Sequence, residues 1–123
     1  MVAEAMQAAR EAAHAEMFAA KLAEMRPRFA AALTERLDHM EALRDSPTLQ
    51  SAPADAMEIF RHYAHKTAGM AATMGFPELG ELCFAAEVAL TRQTQKQASL
   101  EEALEAVDDM LGEMALIVHD PQG

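Results

Sequence analysis

Five histidines, one cysteine and a large excess of carboxylates carry whatever chemistry this chain can do. Cys83 has no partner for an intramolecular disulfide, and it falls on an apolar stripe, so it reads as a small inert core residue. His14, His39 and His119 read as surface residues. The pattern changes around His65. Glu58, His62, His65, Gly69 and Ala72 recur at steps of four and three, which puts them on one face of a helix. An imidazole on such a face can carry a proton, bind a metal or act as a nucleophile. His62 and His65, with Glu58, have the beginnings of a metal site, but no fourth ligand or supporting shell is evident, and we expect no metal and no cofactor bound by this chain. A nucleophilic imidazole needs something else, a carboxylate on one ring nitrogen to fix the tautomer and leave the other nitrogen free.

The helices that must position these groups are legible from periodicity. Ala, Leu, Met, Glu and Arg dominate while aromatic residues are 5% of the chain, a composition that favours helix over strand. Val2 to Met25 reads as a first helix, with Met6, Ala13, Met17, Leu22 and Met25 loosely on one side. Pro27 suits a first helical turn and predicts a restart. Phe29, Leu33, Leu37, Met40 and Leu43 define a second helix, closed by Asp45, Ser46 and Pro47. Met57, Phe60, Ala64, Thr67, Ala71 and Met74 define a third, ending at Gly75 in the left-handed conformation. Pro77 opens a fourth, with Leu79, Leu82, Cys83, Ala86 and Leu90 inward. Ser99, with Glu102 three residues on, has the arrangement of a capping box. It opens a fifth helix whose stripe is Leu100, Leu104, Val107, Leu111, Met114 and Val118. The expected fold is all-α, an antiparallel up-down four-helix bundle over residues 27–118 with an additional N-terminal helix flanking it over residues 1–25, all in a single domain of 123 residues.

This arrangement gives the histidine a partner. The sharp turn between the third and fourth helices centres on Phe76, eleven residues from His65 and eleven from Glu87. In an antiparallel hairpin, equal distances from the turn place two residues at one level. Glu87 follows the inward Ala86, so it stands on the rim of the interface within reach of His65. Gly69, one turn beyond His65, costs about 1 kcal/mol relative to alanine inside a helix. Clearance for an approaching partner explains its presence, and Ala68 and Ala72 extend the same low relief.

The run His65, Lys66, Thr67, Ala68, Gly69, Met70, Ala71, Ala72, Thr73, Met74, Gly75, Phe76, with Leu79 and Glu87 beyond, closely resembles the signature of histidine phosphotransfer (HPt) domains and of the phosphoacceptor domain of chemotaxis histidine kinases. The resemblance implies a phosphorylated His65, access provided by Gly69, and an imidazole oriented by Glu87. It implies a carrier without kinase activity of its own, exchanging a phosphoryl group with response-regulator receiver domains, which supply Mg²⁺, and served by a hybrid sensor histidine kinase. One departure stands out. Family members usually carry Lys or Arg three positions after the histidine, where this chain has Ala68. Lys66 is the candidate to screen the phosphoryl charge instead, although it points about 100° away around the helix. Docking is expected on an apolar and small-residue patch around His65, drawn from the second and third helices and rimmed by charge, with His62, Ala68, Gly69 and Ala72 as its partner-binding residues. The alternative that Ala68 raises is a helical module that docks receiver domains without being phosphorylated.

Composition narrows the partners further. Twenty Asp and Glu against ten Lys and Arg give a formal net charge of −10, which repels nucleic acid and anionic lipid and steers basic surfaces towards the molecule. Charge interrupts every apolar stretch before the roughly 20 residues needed to cross a bilayer, and no segment has the layout of a signal peptide. We therefore expect a cytoplasmic protein that contacts neither nucleic acid nor membrane. A closed bundle with a charged exterior is expected to be a monomer, and the ten methionines mostly fill inward positions.

Overall fold

The computed structural model describes residues 1–119, so positions 120–123 of the expected domain lie outside the described residues. Among the described residues five helices follow one another: α1 (Val2–Arg44), the single turn α2 (Thr48–Ser51), α3 (Pro53–Ala71), α4 (Pro77–Thr94) and α5 (Leu100–His119). The C-terminal half of α1, with α3, α4 and α5, forms the four-helix bundle. In it α3 packs on α4, α4 on α5, and α1 closes the ring against α5 and α3.

The expected break at Pro27 is absent: the first and second expected helices are one helix of 43 residues with Pro27 inside it. Proline there forfeits the bond from its own nitrogen to the Ala23 carbonyl and crowds that carbonyl. Both residues are exposed, so water can take over the freed oxygen, and the alanine-rich flanks are strong helix formers. Residues 1–21 are exposed throughout, and Leu22 and Met25 are the first to be half-buried. The N-terminal arm thus continues a bundle helix and does not form a separate flanking one.

Within the bundle the apolar stripes close on one another. Phe29, Leu33, Leu37, Met40 and Leu43 of α1 are all buried, as are Met57, Phe60 and Ala64 of α3 and Leu79, Cys83, Ala86 and Leu90 of α4. Burial pushes the Cys83 thiol up to about 12, so it stays protonated and unreactive. α2 adds Leu49 to the same core. On α5 the inward face is rotated from the expected stripe. Ala103 and Met110 are fully buried, Leu100 is exposed, and Leu104 and Val118 are half-buried. Alanine is a weak marker of an inward face in sequence, yet its small side chain allows the closest approach to a neighbouring helix. Thr67 is the one buried polar side chain among the described residues, and Arg36 satisfies it by donating from Nη1 to Oγ1 at 3.1 Å. On the outer side of α5, Asp108 accepts two hydrogen bonds from Arg44 of α1 at 2.9 and 3.1 Å.

Both connections beside α4 use the same helix-ending device. After α3, Phe76 N–H donates to the Ala71 carbonyl at 2.8 Å and Gly75 N–H to Ala72 at 3.1 Å, with Gly75 at φ +96°. This is a Schellman motif with the glycine where φ must be positive. After α4, Gln97 N–H reaches the Arg92 carbonyl at 2.7 Å and Lys96 N–H reaches Gln93 at 3.0 Å, but the residue at φ +61° is Lys96. A side chain in that conformation costs roughly 1–2 kcal/mol, part of which glycine would return as lost backbone entropy. Lys96→Gly is therefore expected to stabilise the fold by about 0.5–1 kcal/mol, raising the melting temperature by roughly 2–4 °C. A melting temperature unchanged or lower in thermal denaturation would contradict it. At the start of α5, Glu102 N–H donates to Ser99 Oγ at 3.1 Å, giving the serine half of the expected capping box.

Candidate functional site

The α3–α4 hairpin sets the register of the site. Its Schellman turn fixes where the chain reverses. The small residues Ala68, Ala71 and Ala72 then let α4 approach closely at Gly80, where a Cβ would stand 3.7 Å from the Ala71 Cβ and from the Ala72 nitrogen. Counting back from that seam brings His65 and Glu87 to one level, and the two side chains meet. His65 Nδ1 lies 2.9 Å from Glu87 Oε2 and 3.1 Å from Oε1. A carboxylate only accepts, so Nδ1 carries the proton and donates, and Nε2 is left with its lone pair outward. The His65 side chain is 69% exposed while that of Glu87 is 24% exposed. The carboxylate is seated in the seam and the imidazole stands above it.

The floor around the imidazole is low. Gly69 is exposed, and a Cβ built on it would meet nothing within 4 Å. The protein's own packing therefore does not require glycine there, and what the missing side chain leaves free is space above the helix. Ala72 and His62 are exposed beside it, and Ala68 is half-buried. Lys66 is exposed and makes no ion pair or hydrogen bond among the described residues. Glu58, His62 and His65 are not gathered for a metal: among the described residues no cluster of three His, Cys, Asp or Glu side chains is placed to hold one.

Several neighbours were not anticipated from the sequence. Phe84, 63% exposed, and Val88, 41% exposed, leave apolar surface on α4 three residues before and one residue after Glu87. Their only sequence signal is that they are apolar and off the inward stripe. On the other flank, His39 Nδ1 and the Tyr63 hydroxyl are 2.6 Å apart with their rings edge to face, and the His62 ring lies 6.0 Å from that of Tyr63. This pairing joins α1 to α3 next to the site. Arg61, one turn before His65, holds Glu58 through two bonds, Nη2 to Oε1 at 2.6 Å and Nε to Oε2 at 2.9 Å. That contact keeps the Glu58 carboxyl below its ordinary range. A mostly apolar recess lined by Phe29, Leu33, Met74, Phe76 and Ile117, with Arg26 and Thr34 at its polar side, belongs to the turn end of the bundle. Thr34 Oγ1 already donates to the Ala30 carbonyl at 3.0 Å.

The site is thus one exposed imidazole on the surface of a helical bundle, held by a carboxylate of the neighbouring helix. The sequence model of the Hpt domain matches residues 16–116. The chain belongs to the Hpt domain family. No curated protein and no solved structure matches it significantly. Membership gives this Hpt domain a histidine phosphotransfer role in a phosphorelay, in which Hpt domains interact with receiver domains and kinases. No helix among its described residues is long and apolar enough to cross a membrane.

The carboxylate contact gives a first expectation. Glu87→Ala removes both the acceptor that fixes the tautomer and the negative charge beside the ring. The loss of one charge-assisted hydrogen bond, about 1.5 kcal/mol, corresponds to roughly tenfold in rate. Stopped-flow or quenched-flow phosphotransfer from a phosphorylated receiver domain should show that slowing, with Glu87→Gln falling between the two because its amide oxygen still accepts from Nδ1. Equal rates for all three would show that the contact does not prepare the imidazole.

Proposed function

We propose that this Hpt domain is a phosphocarrier that takes a phosphoryl group onto Nε2 of His65 from the phosphoaspartate of one receiver domain and passes it to the aspartate of another. The observation that carries this reading is the pairing of Nδ1 with Glu87, which leaves Nε2 as the free nucleophile on an exposed ring. In the forward step the Nε2 lone pair forms the N–P bond while the P–O bond to the receiver's aspartate breaks, and the electron pair of that bond stays on the leaving carboxylate. The ring becomes cationic as the N–P bond forms, and Glu87 balances that charge through the Nδ1 proton. The same steps in reverse discharge the group.

The chain offers substrate and orientation, and the partner supplies the rest. Receiver domains bring Mg²⁺ and a lysine, which offset charge on the phosphoryl group during in-line transfer, and no cofactor of this chain's own enters the scheme. A hybrid sensor kinase is the upstream source. Docking covers the low surface at Gly69 and Ala72 together with Phe84, with His62 at its edge. Apolar residues at the centre and charged ones at the rim suit a transient interface, and the −10 charge selects basic partner faces. The setting is the cytoplasm, and the carrier acts as a monomer.

The test is transfer of labelled phosphate from a panel of phosphorylated receiver domains, followed by the lability of the product and mapping of the labelled residue by mass spectrometry. Label that is lost in acid, kept in alkali and mapped to His65 supports the carrier. Receiver domains that bind without any label appearing on the chain would replace it with the non-phosphorylated docking module that Ala68 suggests.

A further inference from the structure

A phosphoryl group on Nε2 would add close to two negative charges at neutral pH beside the carboxylate of Glu87, on a chain already at −10. A carrier state with that much uncompensated charge is disfavoured, so it matters which cation of this chain can reach the group. Lys66 leaves the helix about 100° from His65. Arg36 is committed to buried Thr67, and Arg92 donates to the Gln97 carbonyl at the far end of α4. Among the described residues the cation that shares the face of His65 is Arg61.

Arg61 precedes His65 by four residues, so the two stand one turn apart on the same face of α3. It lies in the same groove between α3 and α4: it lines a recess with Thr91, which is one turn from Glu87 on the facing helix. Position 68 lies three residues after His65 and falls within about 20° of position 61 around the axis, at 100° per residue. The two positions flank the imidazole from opposite directions along the helix. One is alanine and the other is arginine.

We propose that Arg61 is the charge partner of the phosphoryl group on His65, acting from the turn before the histidine. The proposal rests on His65 being phosphorylated. The guanidinium is prepared for the task by Glu58. Its two bonds to that carboxylate use Nε and Nη2, and of its five N–H groups three are left over, including both on Nη1. Glu58 therefore fixes the plane of the fork without exhausting it, and an oxygen of the phosphoryl group is a stronger acceptor for the remaining hydrogens. Glu87 contributes to the field that keeps Arg61 charged, consistent with the two residues sharing the groove. Glu58 is then a tuning residue, which holds Arg61 in place and also competes for it.

The test uses the full chain phosphorylated in two ways: by a phosphorylated receiver domain, and directly by phosphoramidate, a small donor that needs no docking. Phosphorus NMR follows the second ionisation of the phosphoryl group on His65. A neighbouring cation lowers its midpoint, so Arg61→Gln is expected to raise the midpoint by about 0.5 pH unit. Arg61→Lys is expected to stay near the native value, and adding Ala68→Arg to Arg61→Gln to bring it back. The equilibrium with the receiver domain should move about threefold towards the receiver in Arg61→Gln, since 0.5 unit is a factor of about three, and back again in the double variant. A midpoint for Arg61→Gln that coincides with the native one overturns the proposal, because a purely structural role would leave the ionisation unmoved. Failure of the carrier reading looks different: no receiver domain labels the native chain, while the phosphohistidine made by phosphoramidate still shows the Arg61-dependent midpoint.

Discussion

His65→Gln is expected to accept no label from any receiver domain that labels the native protein. Glutamine can sit at the same exposed position and hydrogen-bond to Glu87 through its amide, so the surface keeps its shape. What it lacks is a nitrogen lone pair outside an amide, and with it any nucleophile. No neighbour can take over: His62 is exposed one turn away but has no carboxylate on its ring among the described contacts, its nearest aromatic neighbour being Tyr63. A side chain 69% exposed contributes little to the core, so the melting temperature should move by no more than about 2 °C, in line with surface substitutions of around 0.5 kcal/mol. A radiolabel or phosphate-affinity gel reads the transfer, and circular dichroism reads the fold. Label persisting on the variant would move the phosphoacceptor to another residue.

The second large effect is structural. Phe60 is fully buried on the side of α3 away from His65, and it is the largest side chain among the fully buried ones. Phe60→Ala removes its packing and leaves a cavity that the surrounding helices fill incompletely, at about 3–5 kcal/mol. Set against a total stability of some 5–15 kcal/mol for a typical domain, this is the difference between a secure and a marginal fold. The melting temperature should fall by roughly 12–20 °C. Because Glu87 reaches His65 only while α3 and α4 keep their register, transfer should decline with the folded fraction on warming, well below the native transition. A drop below about 1 kcal/mol in denaturant titration would mean that the bundle repacks around the site far more easily than its close seams suggest.

Most of the bundle could be read from single residues whose type and position agree. Gly75 and Pro77 mark the α3–α4 turn because only a few residues serve there, and once that turn is placed, the level of Glu87 against His65 follows from counting. The stripes of α1, α3 and α4 were legible because large apolar residues mark them. The inward face of α5 is rotated from the one its large apolar residues suggest because Ala103 and Met110 are fully buried, and alanine carries little signal by hydropathy. Pro27 was read as a boundary because proline usually is one. Its exposure, which allows the freed carbonyl to be hydrated, is a property of the folded arrangement. The pairing of His39 with Tyr63 was hidden for a similar reason, since it depends on how α1 lies across α3. Phe84 and Val88 carry no signal in the sequence beyond being apolar and off the inward stripe, and only the folded chain shows them exposed. Arg61 with Glu58 is a local i, i+3 pair, and the sector it shares with position 68 follows from counting; what only the structure shows is that the two bonds to Glu58 use Nε and Nη2 and leave Nη1 free.

The arm of α1 makes stability a local quantity along that helix. With residues 1–21 exposed, no tertiary packing holds those turns, and a helix standing alone must first start a turn, which is unfavourable by a factor of about 10⁻³. Here the first turn never has to be started. The bundle half of the same helix, anchored from Phe29 onward, serves as a permanent nucleus from which the arm only has to propagate, through alanine-rich turns and past the interruption at Pro27. The arm's helicity is thus borrowed from the bundle, and it ends where the bundle's fold ends.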